Sequence, residues 1–191
     1  MAVFDKLREF WETIPFVRPK PEPAIPFIEE SPPESASMFA ADYKIYSLTL
    51  KHLDEVDVLD RRCFTDGEAY TRSTIEYLLG EPNLLAFRAV ERKTGEMVAF
   101  IITMLEKDGT GHITTIGVAP GHRRRGLAYR LLEHTENAFR QRSVRMMRLE
   151  VRVDNKGAQD LYRRAGYSVM QRVNNYYANG GDALLMAKAI I

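Results

Sequence analysis

From Tyr43 onward, apolar and polar positions follow first the period of a strand and then that of a helix, and each change of period marks an element. Tyr43–Leu50 alternates as a first strand. Leu53–Phe64 carries Val56, Leu59 and Cys63 at helical spacing, and Ser73–Leu79 offers a shorter helix through Ile75, Leu78 and Leu79. Leu84–Val90 and Met97–Leu105 are apolar runs around the turn signal Lys93-Thr94-Gly95-Glu96, which predicts a hairpin; His112–Ala119 follows after Asp108-Gly109. Pro120-Gly121 ends that strand, and Leu127, Ala128, Leu131, Leu132, Ala138 and Phe139 form the stripe of a helix of about five turns. In Val144–Val153, Met147, Leu149, Val151 and Val153 take one face and Arg148, Glu150 and Arg152 the other. Ala158, Leu161, Tyr162 and Ala165 make a short helix stopped by Gly166, and Tyr167–Val173 and Ala183–Ile190 read as closing strands around Gly180-Gly181.

The first 42 residues differ. Val3, Phe4, Leu7, Phe10, Trp11 and Ile14 recur at helical spacing, and seven of the nine prolines then fall between Pro15 and Pro33. Proline at that density stops helix and central strand. Residues 1–42 therefore read as an arm, an amphipathic helix and a proline-rich stretch, ahead of a main domain at 43–191. The helix is expected to dock on that domain or on a second copy of the chain, which would make a homodimer. Its mildly acidic polar face is unlike the lysine-rich face of a membrane-surface helix.

A chain of 191 residues supports one compact unit plus an appendage. With 45% hydrophobic and 28% charged residues and a mean hydropathy of −0.30, it is neither a disordered chain, a fibre nor a membrane protein. No run approaches the ~20 apolar residues of a bilayer span, and no signal-peptide pattern opens the sequence. The single cysteine, Cys63, excludes an intramolecular disulfide and suits a reducing compartment, so a cytoplasmic location is expected. His52, His112, His122 and His134 lack metal-ligand spacing, and no metal is predicted.

Charge adds one positive pointer. The net charge of +1 divides into −4 over residues 1–42, −3 over 43–110 and +8 over 111–191. A basic third in a nearly neutral protein points to a local anionic ligand rather than to nucleic acid. Arg123-Arg124-Arg125-Gly126-Leu127-Ala128 lies where a strand hands over to the long helix, so unpaired N–H groups emerge at its N-terminus, with small residues allowing close approach. Three arginines there oppose the helix dipole, a placement an anion would explain; a solvated basic cluster is the plain alternative.

The turn, with Ile116-Gly117-Val118-Ala119-Pro120 before it, resembles motif A of the GNAT superfamily of acetyl-CoA-dependent N-acetyltransferases. Leu149-Glu150-Val151-Arg152, Asn155, Ala158, Leu161-Tyr162 and Ala165-Gly166-Tyr167 resemble motif B. Asn175-Tyr176-Tyr177, Asp182-Ala183 and Leu185-Met186 resemble the end of RimI-like protein N-terminal acetyltransferases. The resemblance spans residues 43–191. It implies the GNAT fold, of class α/β (α+β): a mixed, mostly antiparallel sheet of six to seven strands with about four helices. The strand before motif A and the strand of motif B would splay, with the pantetheine of acetyl-CoA in the wedge.

Carried over by position, the backbone of Ile116, Gly117 and Val118 would bond the pantetheine and acetyl group, and an N–H near Val118 would stabilise the tetrahedral oxyanion. Arg123, Arg124, Arg125, Gly126, Leu127, Ala128 and Tyr129 would hold the pyrophosphate. Asn155 would steady the cofactor, or cap the following helix. Acetyl transfer to an amine needs a base and an acid. Glu150 matches the base, against an ion pair with Arg148 or Arg152; Tyr162 matches the acid, against simple packing beside Leu161. Tyr176 and Tyr177 resemble the pair that holds an incoming peptide N-terminus, against an aromatic cross-strand pair. Phe64 lies on the opposite wall, in Phe64-Thr65-Asp66-Gly67-Glu68, where many relatives carry Phe-Pro-x-Ser; Asp66 or Glu68 could receive a cationic substrate. Cys63, on apolar helical spacing with no histidine partner, is a poor candidate for an acetylated intermediate. The implied acceptor is a peptide α-amine, with a small amine or a non-catalytic acetyl-CoA sensor as alternatives.

Overall fold

A computed structural model of the chain describes residues 42–65 and 68–191. The expected helix at 3–14, the proline-rich stretch and Asp66 lie outside these residues. The described elements are β1 (Tyr43–Ser47), α1 (Leu53–Cys63), α2 (Arg72–Gly80), β2 (Leu84–Glu91), β3 (Met97–Leu105), β4 (Gly111–Val118), α3 (Leu127–Arg140), β5 (Met146–Arg152), α4 (Lys156–Arg164), β6 (Ser168–Val173) and β7 (Ala183–Ala189). Seven strands form one sheet in the order β1-β2-β3-β4-β5-β7-β6. Every neighbouring pair is antiparallel except β4 and β5. This is the mixed sheet with four helices that the motifs imply. Two elements are shorter than their patterns: β1 stops at Ser47 before a 3-10 turn at Leu50–His52, and α3 has 14 residues, about four turns.

Local chemistry sets the ends. Asp54 and Glu55 open α1 and Arg61 and Arg62 close it, matching the helix dipole. Thr71 caps α2 by accepting the Thr74 N–H, and Asn155 caps α4 by accepting the Ala158 N–H at 3.0 Å. β3 is buried from Met97 through Thr103, as a central strand covered on both faces must be. On one face α1 packs over Phe100 and Gly117. On the other, His134 of α3 meets the Phe87 ring edge-on, with centroids 4.5 Å apart.

The sheet opens where the parallel pair lies. β4 and β5 are in register only where Gly111, His112 and Ile113 face Met147, Arg148 and Leu149. Just beyond, Ile102 of β3 faces Thr115 while Thr103 faces Ile113, so Thr114 is an extra residue bulged from β4. A bulge bends and twists its strand. Past it, β4 runs on to Val118 and β5 to Arg152 without pairing, and a gap opens between them. No helix among the described residues is long and apolar enough to cross a membrane.

Candidate active site

One wall of the gap is backbone. The Ala119 N–H donates to Val98 O at 2.8 Å, and Gly117 lies opposite Phe100. Backbone groups alternate along a strand, so Gly117 turns its N–H and C=O to β3, whereas Ile116 and Val118 turn theirs to the gap. The shared role expected for all three thus divides. Gly117 is there for space: a Cβ on it would lie 2.5 Å from Phe100 Cε1 and 3.1 Å from Cys63 Sγ. Burial pushes that thiol up to about 11, so Cys63 stays protonated at neutral pH.

The basic turn sits at the open end. Gly126 has φ 76° and forms the N-cap of α3 with no side-chain cap, leaving the amides of Leu127, Ala128 and Tyr129 without helical acceptors. Arg124 is exposed and also left-handed, with φ 62°, a conformation that costs a non-glycine residue on the order of 1 kcal/mol. Its neighbours are tied down by hydrogen bonds. Arg123 donates from Nε to Val118 O at 3.1 Å and from Nη2 to Cys63 O at 3.0 Å. Arg125 donates from Nη1 to the Tyr43 hydroxyl at 2.8 Å. Two of the three arginines therefore spend hydrogen bonds on shaping the turn; Arg123 stays exposed while doing so, and Arg124 is exposed and left-handed.

The other wall is β5. Glu150, its side chain only 6% exposed, accepts from His112 Nε2 of β4 at 2.7 Å. Neither flanking arginine forms the ion pair that strand spacing suggests. Arg148 reaches Asp108 at 3.5 Å and Glu106 at 4.0 Å, and Arg152 pairs with Glu68 across the mouth of the gap. Glu68 is thus neutralised by Arg152 rather than left for a cationic substrate. Burial opposes a charge on His112, but Glu150, through charge and hydrogen bond, and Glu106 outweigh it and raise the imidazole pKa.

Tyrosines close the site. Tyr162 of α4 is buried, and burial, then Glu150, push its phenol well above the usual range, so it remains a proton donor. Tyr176 and Tyr177 lie in the β6–β7 connection, with rings edge-on at 5.0 Å. They are chain neighbours in a loop, not a cross-strand pair. The loop is pinned by Asp182, which accepts the Asn175 N–H and pairs with Arg172, and by bonds between Tyr177 and residues 180 and 181. Burial, then Glu150, raises both phenols. The Arg152 guanidinium lies 4.2 Å from the Tyr177 ring centroid. Tyr70, held where its N–H donates to buried Asp60 at 2.7 Å, has its phenol pushed up to about 12 by burial, Asp60 and Glu150. Phe64 is half-buried at the end of α1, against the core.

A gap with one edge of free backbone, an uncapped helix start at its open end, and a buried carboxylate and phenol at its foot suits an acyl group carried on a long anionic handle. The Acetyltransferase (GNAT) family profile matches residues 53–167. This chain belongs to the GNAT family. Its relatives include the N-alpha-acetyltransferase 20 of Dictyostelium discoideum, 36% identical over 120 residues, 61% of this chain and 68% of that one. The N-alpha-acetyltransferase of Sulfurisphaera tokodaii is 28% identical over 161 residues, 76% of this chain and 92% of the other. The crystal structure of the ribosomal-protein-S18-alanine N-acetyltransferase from Escherichia coli matches with a TM-score of 0.70 at 30% identity, covering 78% of this chain and 94% of that chain.

As a GNAT acetyltransferase the chain brings together Ile116, Val118, Glu150, Tyr162, Tyr176 and Tyr177 around one gap, with the turn at 124–129 at its end. Asn155 stands slightly apart, its side-chain oxygen spent on the α4 cap. Sequence reasoning missed His112, Tyr70, Glu106 and Tyr43. His112 carried one readable signal, its place on the polar phase of a strand that neighbours the Glu150 strand; Tyr70 and Glu106 stand in connections with no periodicity, and Tyr43 opens β1, where alternation marks the strand but not the partner of its hydroxyl.

Proposed function

We propose that this GNAT acetyltransferase moves acetyl from acetyl-CoA to the α-amine at a protein N-terminus, by direct attack in a ternary complex. The observation that carries it is the buried Glu150 carboxylate, held by His112 and flanked by Tyr162, Tyr176 and Tyr177 in the β4–β5 gap. The Ile116 and Val118 backbone holds the pantetheine and acetyl carbonyl, with the Val118 N–H aimed where negative charge develops on oxygen. The amides of residues 127–129 and the Arg124 charge take the diphosphate.

Glu150 takes the proton from the attacking ammonium, directly or through one water. A carboxylate is a weak base, but an α-amine has a pKa of roughly 8 against about 10.4 for lysine, so it releases its proton with far less help. Tyr162 donates to the departing sulfur, and Tyr176 and Tyr177 frame the peptide backbone. The names of the relatives agree with such an acceptor, and the Escherichia coli protein acts, as its name states, on an alanine terminus. Residues 43–191 carry the reaction in this reading, and a cytoplasmic location suits it.

The test is an acceptor panel with acetyl-CoA: peptides with free N-termini, one of them beginning with alanine; N-blocked lysine peptides; and polyamines. Turnover confined to free peptide N-termini is expected. Turnover of small amines alone would replace the acceptor assignment, and acetyl-CoA binding without any turnover would make the chain a sensor.

A further inference from the structure

Side chains two apart on a strand share a face at about 6.6 Å spacing, well within the reach of an arginine. Arg148 and Arg152 therefore both stand beside Glu150, and a guanidinium against a carboxylate lowers its pKa by about 1–3 units. That would weaken a base whose work rises with its proton affinity. In the structure both arginines are held elsewhere. Arg152 is engaged by Glu68 and the Tyr177 ring, on the acceptor side. Arg148, 12% exposed, is drawn the opposite way, to the β3–β4 turn, where Nη1 meets Asp108 Oδ2 and Nη2 faces Glu106 Oε1.

We propose that Glu106 and Asp108 are positioning residues for acetyl transfer: they hold Arg148 away from Glu150, so that no guanidinium pairs with the carboxylate that deprotonates the amine. The inference rests on Glu150 being the base. The turn is built to present these two acids. The Glu106 N–H donates to Thr110 O at 2.9 Å, the Gly109 N–H to Glu106 O at 3.0 Å, and the Thr110 N–H to Asp108 Oδ1 at 2.9 Å. Asp108 thus spends one oxygen on the turn and leaves Oδ2 for Arg148. Glu106 Oε1 also lies 3.5 Å from His112 Nδ1, so the same carboxylate supports the imidazole that holds Glu150. The groups facing Glu150 are His112 from β4, Arg148 and Arg152 on β5, Tyr162 from α4, Tyr70 from the α1–α2 connection, and Tyr176 and Tyr177 from the β6–β7 connection. Of these, Arg148 is the one that meets both turn acids, and His112 meets Glu106 alone.

Asp108→Asn is the cleanest probe, because asparagine keeps the oxygen that accepts the Thr110 N–H and loses only the charge. It is compared with Glu106→Gln, with the double variant, and with each in combination with Arg148→Met, which removes the guanidinium and keeps an apolar stem. The readout is kcat/KM for a peptide beginning with alanine, followed across pH. In the double variant the plateau kcat/KM should fall roughly tenfold. The KM for acetyl-CoA should be unchanged. Adding Arg148→Met should return kcat/KM to within about twofold of the wild type, which a merely structural role of the turn would not allow. If the double variant fails to melt cooperatively, Asp108→Asn alone carries the test with a smaller loss. An unchanged kcat/KM, or a loss that Arg148→Met does not restore, overturns the proposal. Glu150→Gln separates the two readings: wild-type turnover there removes the base itself, whereas an inactive Glu150→Gln beside silent turn variants removes only the role of Glu106 and Asp108.

Discussion

The Arg125 guanidinium donates a hydrogen bond to the Tyr43 hydroxyl at 2.8 Å, tying the turn before α3 to the first residue of β1, 82 positions earlier. The same hydroxyl lies 3.0 Å from His122 Nδ1, and Tyr43 is only 1% exposed. A buried phenol thus braces both sides of a turn that contains two left-handed residues, Arg124 and Gly126. The brace sets the direction of the α3 amides without touching what they bind.

Tyr43→Phe removes the hydroxyl and leaves the ring. Losing one net hydrogen bond, worth about 1 kcal/mol, should relax the turn and weaken acetyl-CoA binding roughly fivefold, with kcat at saturation nearly unchanged. Calorimetric titration with acetyl-CoA checks the first part and initial rates the second. A fall in kcat with intact affinity would assign the brace to chemistry instead.

Tyr162→Phe should cut turnover by about a hundredfold while acetyl-CoA affinity stays within twofold, because the phenol is spent on the leaving sulfur and not on the handle. Burial and Glu150 hold this phenol protonated through and beyond the physiological range. The wild-type kcat profile should therefore show no falling limb from Tyr162 below pH 10, and unchanged turnover in the variant would end its assignment as the acid.

Gly117→Ala places a methyl 2.5 Å from the Phe100 ring on a strand that cannot retreat, since β3 is covered on both faces. Overpacking of that kind costs about 1–3 kcal/mol, seen as a melting temperature lower by roughly 3–10 °C. Thermal unfolding followed by circular dichroism measures it. An unshifted melting curve would show that Phe100 has room to turn aside.

Asp60 supplies a pH test of stability. It is fully buried, and burial, opposed by the Tyr70 N–H and aided by Asp57, raises its pKa from 3.8 to about 6. A carboxyl raised by folding favours the folded state in its protonated form, so this contribution is complete below about pH 4 and is lost as pH climbs through 6. Asp60→Asn, which imitates the protonated form and keeps an oxygen for the Tyr70 N–H, should match the wild type near pH 4. By pH 7.5 it should be more stable by ~1–3 kcal/mol. Urea unfolding at both pH values decides it, and equal stability at the higher pH would mean that the buried carboxylate is compensated.

What the sequence determined alone was the succession of elements and the places where chemistry gathers. Period two against period three-and-a-half separated β5 from α4, Gly126 marked the start of α3, and Glu150 stood on the polar phase of its strand, because these are local properties that a residue shares only with its near neighbours. Partners were another matter. Strand spacing offered Glu150 the arginines at 148 and 152, yet it took His112, 38 residues away on a parallel neighbour, while Arg152 took Glu68, 84 residues away. Likewise the three consecutive arginines looked alike on paper, and only the fold tied Arg123 to the Val118 and Cys63 carbonyls and Arg125 to the Tyr43 hydroxyl. Which long side chain meets which carboxylate depends on register, on the bulge at Thr114 and on how loops close over the sheet. Those are set by the packing of segments far apart in the chain, so the identity of a charge was readable from sequence and its neighbour was not.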